Sequence, residues 1–464
     1  MGNVGQERES QTLHKSSKPL VERYGLEAVP RELQTTKALQ YTFIQMAVSV
    51  NAGNVLVPAL AVTAGGLTFI HAVFSTVIGA ALAFLFVSFL SLPGAKYGIP
   101  AQYSIRAILG YKGARYVASP IRTLTSMYWF AVQTIGGAYL LKELILRSFN
   151  INVPFLLIAM IAATIMAVLA LIGFDAVKRA ANYFLPFLFV GGLVMLYLLV
   201  TSEVEGKNFS FLISAAEHSY SFETVTMMLF FASLAFVQYI SGVSAASDMA
   251  RYAKSGKHAF TGLFIGNTGG FFLTAILGAY TAALTGEVNP YVVSSQLTDS
   301  PIFLFLILVA SIASMVMINI SNAYTGGYSL LNSIPSLGRV RSALLFGACA
   351  VTLSAFPALV NEAQLYISYL GVLIIPLSAV IVADFLSLKK LTFEEEDFRK
   401  LAENSYRYNK SGLIVSALGA GIYIIIPDHW SPGFMTFIVT GLIYLFTAHY
   451  IHRKEVRHPN TRVS

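Results

Sequence analysis

Eight side chains able to form hydrogen bonds stand deep inside long apolar runs: Asn51, Asn54, Gln133, Gln238, Ser241, Asn319, Ser321 and Asn322. A carboxamide offers a donor and an acceptor from one group, so it can pair with a solute edge on which the two alternate. Trp129 precedes Gln133 by four residues, which on a helix puts an indole about one turn from an amide on the same face. An aromatic plate beside a bidentate amide suits a flat, uncharged heterocycle, stacked on its face and hydrogen-bonded at its edge. Tyr239 and Asn322 can supply a second plate and a second amide. Read singly, each group is more simply a packing device, because Asn and Gln also bridge transmembrane helices and Trp also marks the interfacial belt.

The competing chemistries lack their residues. Asp175, Asp248 and Asp384 stand at one set of run ends and Glu143, Glu223 and Glu362 at the other, so no mid-run carboxylate offers itself as a proton carrier. His71, His218, His258, His429, His449, His452 and His458 lie at or beyond the ends, without an i, i+4 ligand pair inside a run. An intramembrane enzyme needs a nucleophile with its base, or metal ligands, facing a cavity. The expectation is therefore no catalytic residue, no metal and no cofactor.

The runs that hold the polar groups define the fold class. The 464 residues are 56% hydrophobic and 12% charged, more apolar surface than one soluble core can hide. A helix needs about 20 apolar residues to cross roughly 30 Å of hydrocarbon. Twelve such runs occur, at 39–64, 68–92, 119–146, 152–173, 182–202, 224–248, 258–284, 301–332, 340–360, 363–387, 411–427 and 432–451. They predict an all-α integral membrane protein of about twelve transmembrane helices.

Residues 1–38 carry Arg8, Lys15, Lys18, Arg23, Arg31 and Lys37 with no apolar stretch or small-residue cleavage site, which predicts a cytoplasmic tail rather than a signal peptide. With that tail inside, 28 of the 31 Lys and Arg residues fall on the cytoplasmic side, Arg122 near the boundary, and only Lys142, Arg147 and Lys207 fall outside. The positive-inside rule predicts this asymmetry and puts both termini in the cytoplasm of a cell-membrane protein. The net charge of +8 sits in short loops facing anionic headgroups, so the partner is the lipid bilayer and not nucleic acid. Cys349, the only cysteine, has no intramolecular disulfide partner.

Two runs carry signs of a break. The first has Asn51-Ala52-Gly53-Asn54 followed by Pro58, and the sixth has Gln238-Tyr239-Ile240-Ser241-Gly242-Val243-Ser244. Either stretch alone is as readily a packing kink. Five runs apart, they match the first helices of two inverted five-helix repeats, whose freed backbone groups can bind ligands. The predicted organisation is a tail (1–38), a first repeat (39–202), a second repeat (224–387), a charged cytoplasmic linker (388–410), two further helices (411–451) and a C-terminal tail (452–464).

Four stretches resemble the nucleobase-cation-symport-1 family, and its purine-cytosine permease branch most. They are Val21-Glu22-Arg23-Tyr24-Gly25-Leu26-Glu27-Ala28-Val29-Pro30; Gly98-Ile99-Pro100-Ala101-Gln102 with Arg106 and Gly110; Trp129-Phe130-Ala131-Val132-Gln133 with Gly136-Gly137; and Ser247-Asp248-Met249-Ala250-Arg251-Tyr252. Asn322 six residues before Tyr328, and Pro376 followed by Asp384, extend a likeness that runs from about Glu22 to Lys389. The resemblance implies a leucine-transporter-like fold, a five-plus-five inverted repeat with two additional C-terminal helices. It implies secondary active import of a nucleobase, cytosine or a purine, or a related flat heterocycle, by cation symport and alternating access, with a monomer as the working unit. Allantoin, hydantoin or uracil are the alternative cargoes, and a passive facilitator is the alternative mechanism.

Carried over, the resemblance makes Trp129 the aromatic that stacks on substrate, Gln133 the polar residue one turn on, Tyr239 the sixth-helix aromatic, Ser241 its polar neighbour and Asn322 the eighth-helix amide. Asn51 is the first-helix contribution, with Asn54 close behind; Asp248 and Arg251 close the cytoplasmic end of the sixth helix. One departure bears on coupling. Sodium-dependent members have adjacent hydroxyls five and six residues before the substrate amide, where this chain has Val316 and Met317. Sodium, a hard cation, wants oxygen ligands. Unless the register slips to Ser314, the expected coupling ion is H+ rather than Na+.

Overall fold

A computed structural model describes residues 27–169, 171, 174–215 and 221–457; the side chains of 174–180 and 451–457 are not described. Residues 1–26 and 458–464, and His218, lie outside the described residues. Among the described residues the chain is helical, with two isolated β-bridges, Thr36 to Ala253 and Val204 to Lys207.

The chain opens with α1 (Ala38–Ser49) and α2 (Leu56–Thr63), followed by α3 (Phe69–Leu90) and α4 (Leu92–Tyr97). Short α5 (Ala101–Leu109) and α6 (Tyr111–Gly113) lead to α7 (Ser119–Phe149), α8 (Phe155–Leu169) and α9 (Phe174–Thr201). Next come α10 (Phe209–Ser214), α11 (Phe222–Ile240), α12 (Ala246–Ala250), α13 (Gly256–Thr285), α14 (Pro290–Gln296) and α15 (Pro301–Ser333). α16 (Gly338–Leu353), α17 (Ala358–Asn361), α18 (Ala363–Ala383), α19 (Glu395–Glu403), α20 (Lys410–Ile425) and α21 (Pro432–Arg457) complete the order. Local sequence sets the ends. Ser221 accepts from Thr224 N–H at 3.0 Å and Asn409 from Gly412 N–H at 2.9 Å, each satisfying a donor that a helix start leaves free. Asn150 and Gly286 end α7 and α13 at φ 55° and 78°, in the left-handed region that closes helices.

Among the described residues, eight helices are long and apolar enough to cross a membrane: Phe69–Tyr97, Ala181–Thr201, Phe222–Ser244, Gly256–Thr285, Pro301–Ser333, Pro335–Leu353, Ala363–Leu388 and Pro432–Tyr450. The other four predicted runs depart from that standard for visible reasons. α1 and α2 divide one of them into 12 and 8 residues. α7 has 31 residues but carries Arg122, Gln133 and several hydroxyl side chains. α8 and α20 are apolar but have 15 and 16 residues. Phe74, Ile161, Leu193, Ile302, Ile424 and Phe446 point outward, an apolar exterior suited to lipid.

Glycines set a close contact between two helices. α1 lies along α13 over Gly262, Gly266 and Gly270, one small residue per turn on one face. A Cβ at Gly266 would stand 2.5 Å from the Thr42 carbonyl oxygen, and one at Gly270 2.9 Å from that of Met46. Backbone oxygens cannot rotate away. Gly266→Val is therefore expected to lower the melting temperature of the detergent-solubilised protein, with overpacking that costs about 1–3 kcal/mol. An unchanged melting curve would mean that the two helices are not in contact.

The motifs Gly98–Gln102 and Ser247–Tyr252 meet in one buried polar network. Asp248 Oδ1 accepts from Ala101 N–H, in the first turn of α5, at 2.8 Å, where a carboxylate also complements the helix dipole. Gln102 Nε2 donates to Ser244 O at 2.9 Å and to Ser329 Oγ at 3.2 Å, while Ser119 Oγ donates to Gln102 Oε1 at 2.7 Å. Arg106 Nε donates to Asn332 Oδ1 at 3.0 Å, and Arg251 Nη2 to the hydroxyls of Tyr324 and Tyr328 at 3.0 and 2.8 Å. Asp248 and Arg251 thus lie in the closure of this end of the sixth run, as expected. Asp384 joins α18 to α21 by accepting from Tyr444 Oη at 2.5 Å, and Asn409 Nδ2 donates to the same hydroxyl at 2.8 Å.

Candidate functional site

The first break spans the residues between α1 and α2, and carboxamides fill it. Asn51 Oδ1 accepts from Asn54 N–H at 2.9 Å, and Asn51 Nδ2 donates to Val48 O at 2.7 Å and Ser49 O at 3.3 Å. Gln133 reaches in from α7: its Oε1 accepts from Gly53 N–H at 2.7 Å and its Nε2 donates to Asn51 Oδ1 at 2.6 Å. Ser314 Oγ on α15 accepts from Ala52 N–H at 3.1 Å. These bonds replace the helical partners that the broken backbone gives up, as a membrane interior requires. Gly53 is demanded by the approach of Gln133, because a Cβ there would lie 2.2 Å from Nε2.

The second break lies slightly later than expected. Gln238 to Ile240 remain α-helical, a 3-10 turn covers Ser241–Ser244, and Ala245 leaves helical geometry at φ −136° before α12. Gln238 Nε2 donates to Asn54 Oδ1 at 3.2 Å, joining the two breaks directly.

Between the breaks, against α7 and α15, lies a cavity of about 150 Å³. Five predicted residues, Trp129, Gln133, Tyr239, Ser241 and Asn322, line it together. Asn51 does not; it sits behind Gln133, fully buried, with both carboxamide atoms engaged in the break, while Asn54 takes part in the lining. Asn319 faces elsewhere, donating to Thr134 Oγ1 at 3.0 Å, the helix-bridging role that an amide can also play.

Five polar atoms on the lining residues are buried without a hydrogen-bond partner, Tyr41 Oη, Arg122 Nε, Gln238 Oε1, Tyr239 Oη and Asn322 Nδ2, and the last three sit on residues that the sequence singled out. Gln238 and Asn322 are 5% and 6% exposed, so bulk water does not serve them. They present an acceptor, a hydroxyl and a donor, with the half-buried Trp129 indole among the same walls. Tyr239 is held by ring contacts to Phe84 and Phe271, with centroids 4.5 and 5.1 Å away.

Further lining residues escaped the sequence reading. Gln45 and Asn267 are buried, with Asn267 Nδ2 donating to Gln45 Oε1 at 3.2 Å and Ser49 Oγ donating to Asn267 Oδ1 at 2.5 Å. Their signal was an amide inside an apolar run. Arg122 also lines the cavity, although its place near the start of a run suggested the membrane boundary. A second cavity, of about 500 Å³, lies across the first break, lined by Ala52, Val55, Val132 and Gly136 and rimmed by Lys142, Glu143 and Glu287. Asn54 and Gln133 face the first cavity while Ala52 and Gly136 face the second, so the Gln133 clamp stands between the two.

Known proteins share both the sequence pattern and this arrangement of helices. A family model described as permease for cytosine/purines, uracil, thiamine and allantoin matches residues 28–451. The hydantoin permease of Microbacterium maritypicum is 20% identical over 410 residues, 84% of this chain and 81% of that one. The purine-uracil permease NCS1 of Arabidopsis thaliana is 24% identical over 413 residues, 78% of this chain and 67% of that one. The structure of Mhp1, a nucleobase-cation-symport-1 family transporter in a closed conformation with bromovinylhydantoin bound, matches at a TM-score of 0.77 and 16% identity, covering 94% of this chain and 96% of that one. At that identity the structural likeness speaks for the fold alone. The family match covers nearly the whole chain, and by it the protein belongs to the nucleobase-cation-symport-1 family of permeases.

Proposed function

We propose that the protein is a secondary active transporter that imports a nucleobase, cytosine or a purine, or a related flat heterocycle of the hydantoin and allantoin kind. The observation that carries this reading is the set of unpartnered buried atoms, Gln238 Oε1, Tyr239 Oη and Asn322 Nδ2, on the walls that Trp129 shares. Leaving such atoms unpaired costs about 1–3 kcal/mol each, which a ring with alternating donors and acceptors would offset. Trp129 and Tyr239 are the stacking walls, Asn322 and Ser241 edge partners, and Gln133 with Asn51 the support that shapes the floor of the first break. The names of the relatives, hydantoin permease and purine-uracil permease, agree with this class of cargo.

In the same reading, residues 39–202 and 224–387 are five-helix repeats related by inversion, each starting with its broken helix. Residues 411–451 add two accessory helices, giving twelve spans. The linker 388–410 and the tails 1–38 and 452–464 are cytoplasmic, and a monomer in the cell membrane suffices. Transport proceeds by alternating access around the breaks.

H+ is the proposed coupling ion. Val316 and Met317 are buried and carry no oxygen, and Ser314 Oγ already accepts the Ala52 N–H. Radiolabelled cytosine, hypoxanthine, urate, orotate, allantoin and hydantoin offered to cells expressing the protein test the whole reading. The expected result is saturable uptake of at least one of them against its gradient, collapsed by a protonophore and unchanged when choline replaces sodium. Dependence on sodium would overturn proton coupling, uptake only down a gradient would make the protein a facilitator, and uptake of none would overturn the cargo class.

A further inference from the structure

Arg122 is the one charged side chain among the residues lining the cavity between the breaks. Its guanidinium is held by neutral oxygens alone: Nη1 donates to Ser241 O at 3.5 Å and Ser241 Oγ at 3.4 Å, and Nη2 to Thr325 Oγ1 at 3.0 Å. Nε is buried without an acceptor. Among the described residues no carboxylate forms an ion pair with it. Asp248, whose charge it feels, is bonded to the Ala101 N–H and also lies in the field of Arg251 and Arg339.

Arg122 is half-buried and its Nε fully so, and a cation partly withdrawn from water is stabilised by a counter-charge as well as by hydrogen bonds. Arginine meets carboxylates and other planar anions with a rigid fork of donors, and such charge-assisted bonds are stronger than neutral ones. The location matters equally. Ser241 follows Gln238 by three residues and Thr325 follows Asn322 by three. The residues that hold the guanidinium therefore stand about one turn along the chain from those that carry the two unpartnered carboxamides. Arg122, Gln238 and Asn322 line the same cavity, so a ring that pairs with the two amides shares that space with the guanidinium.

We propose that the cargo is an anionic heterocycle, bearing a carboxylate or a ring nitrogen deprotonated at neutral pH, with its charged edge on the Arg122 guanidinium. This rests on the heterocycle reading above and narrows it. It also replaces the uncharged solute that the mid-run amides alone suggested.

Equilibrium binding to the purified protein in nanodiscs at pH 7.5, by radioligand scintillation proximity, tests it with two matched pairs: orotate against uracil, and urate against hypoxanthine. At least one anion is expected to bind ten-fold or more tightly than its neutral partner, and Arg122→Gln is expected to cut that ratio ten-fold or more, with Arg122→Lys retaining part of it. The ratio is taken within one preparation, so a loss of folded protein cancels, and if Arg122→Gln yields none, the wild-type ratio decides. A smaller wild-type preference, or one that survives Arg122→Gln, overturns the charge assignment while leaving the heterocycle reading standing. Binding of none of the four probes overturns both.

Discussion

Asn322→Ala is expected to lower saturable uptake of the preferred heterocycle by about 10–100-fold while the chain still reaches the membrane in normal amount. Nδ2 of this residue has no protein partner, so its removal breaks no hydrogen bond of that atom within the fold. A hydrogen bond lost from a buried ligand edge is worth about 1–3 kcal/mol, and each 1.4 kcal/mol is a factor of ten. The loss should therefore appear in transport with the melting temperature unchanged. Trp129→Ala, which removes the stacking wall, should act in the same direction. If both variants transport at the wild-type rate with equal surface expression, the proposed pocket is wrong.

Gln133→Ala should behave differently, because this carboxamide serves the backbone. Its removal strips the acceptor from Gly53 N–H and the donor from Asn51 Oδ1, both inside the first break. Gly53 N–H, left without an acceptor, costs about 1–3 kcal/mol, while Asn51 Oδ1 keeps the Asn54 N–H and loses only its second donor. The variant is expected to lose thermal stability and transport together, and Gln133→Glu, which keeps the acceptor but not the donor, should recover part of the stability. Loss of uptake at an unchanged melting temperature would instead make Gln133 a direct partner of the cargo. Together with Asn322→Ala, it separates residues that hold the site from residues that hold the substrate.

The breaks were legible because two stretches of amides, hydroxyls and glycine recur five runs apart, although either alone reads as readily as a packing kink. The location of the second was less so: Gly242 drew attention, yet the backbone departs from helical geometry at Ala245, whose side chain carries no sign of it. Sequence spacing brought Trp129 and Gln133 to one face but could not say whether an amide tethers a helix or meets a ligand. Asn319 and Asn322 make the same point. Three residues apart, they point about 60° from each other around α15. One bonds Thr134 and the other opens on the cavity. Arg122 was misjudged for a related reason. Its depth follows from what packs opposite, the Ser241 turn and Thr325, and these come from chain segments more than a hundred residues away.

The glycine stripe between α1 and α13 also constrains how the molecule can move. Over Gly262, Gly266 and Gly270 the two helices touch backbone to side-chain root, with no layer of flexible side chains to act as a bearing, and Gly278 keeps the same intimacy with Val55 beyond the break. Sliding there would drive backbone atoms into one another, so the two helices are locked against each other. Toward α7 the contact is of another kind, made by the Gln133 carboxamide on Gly53 N–H and Asn51 Oδ1.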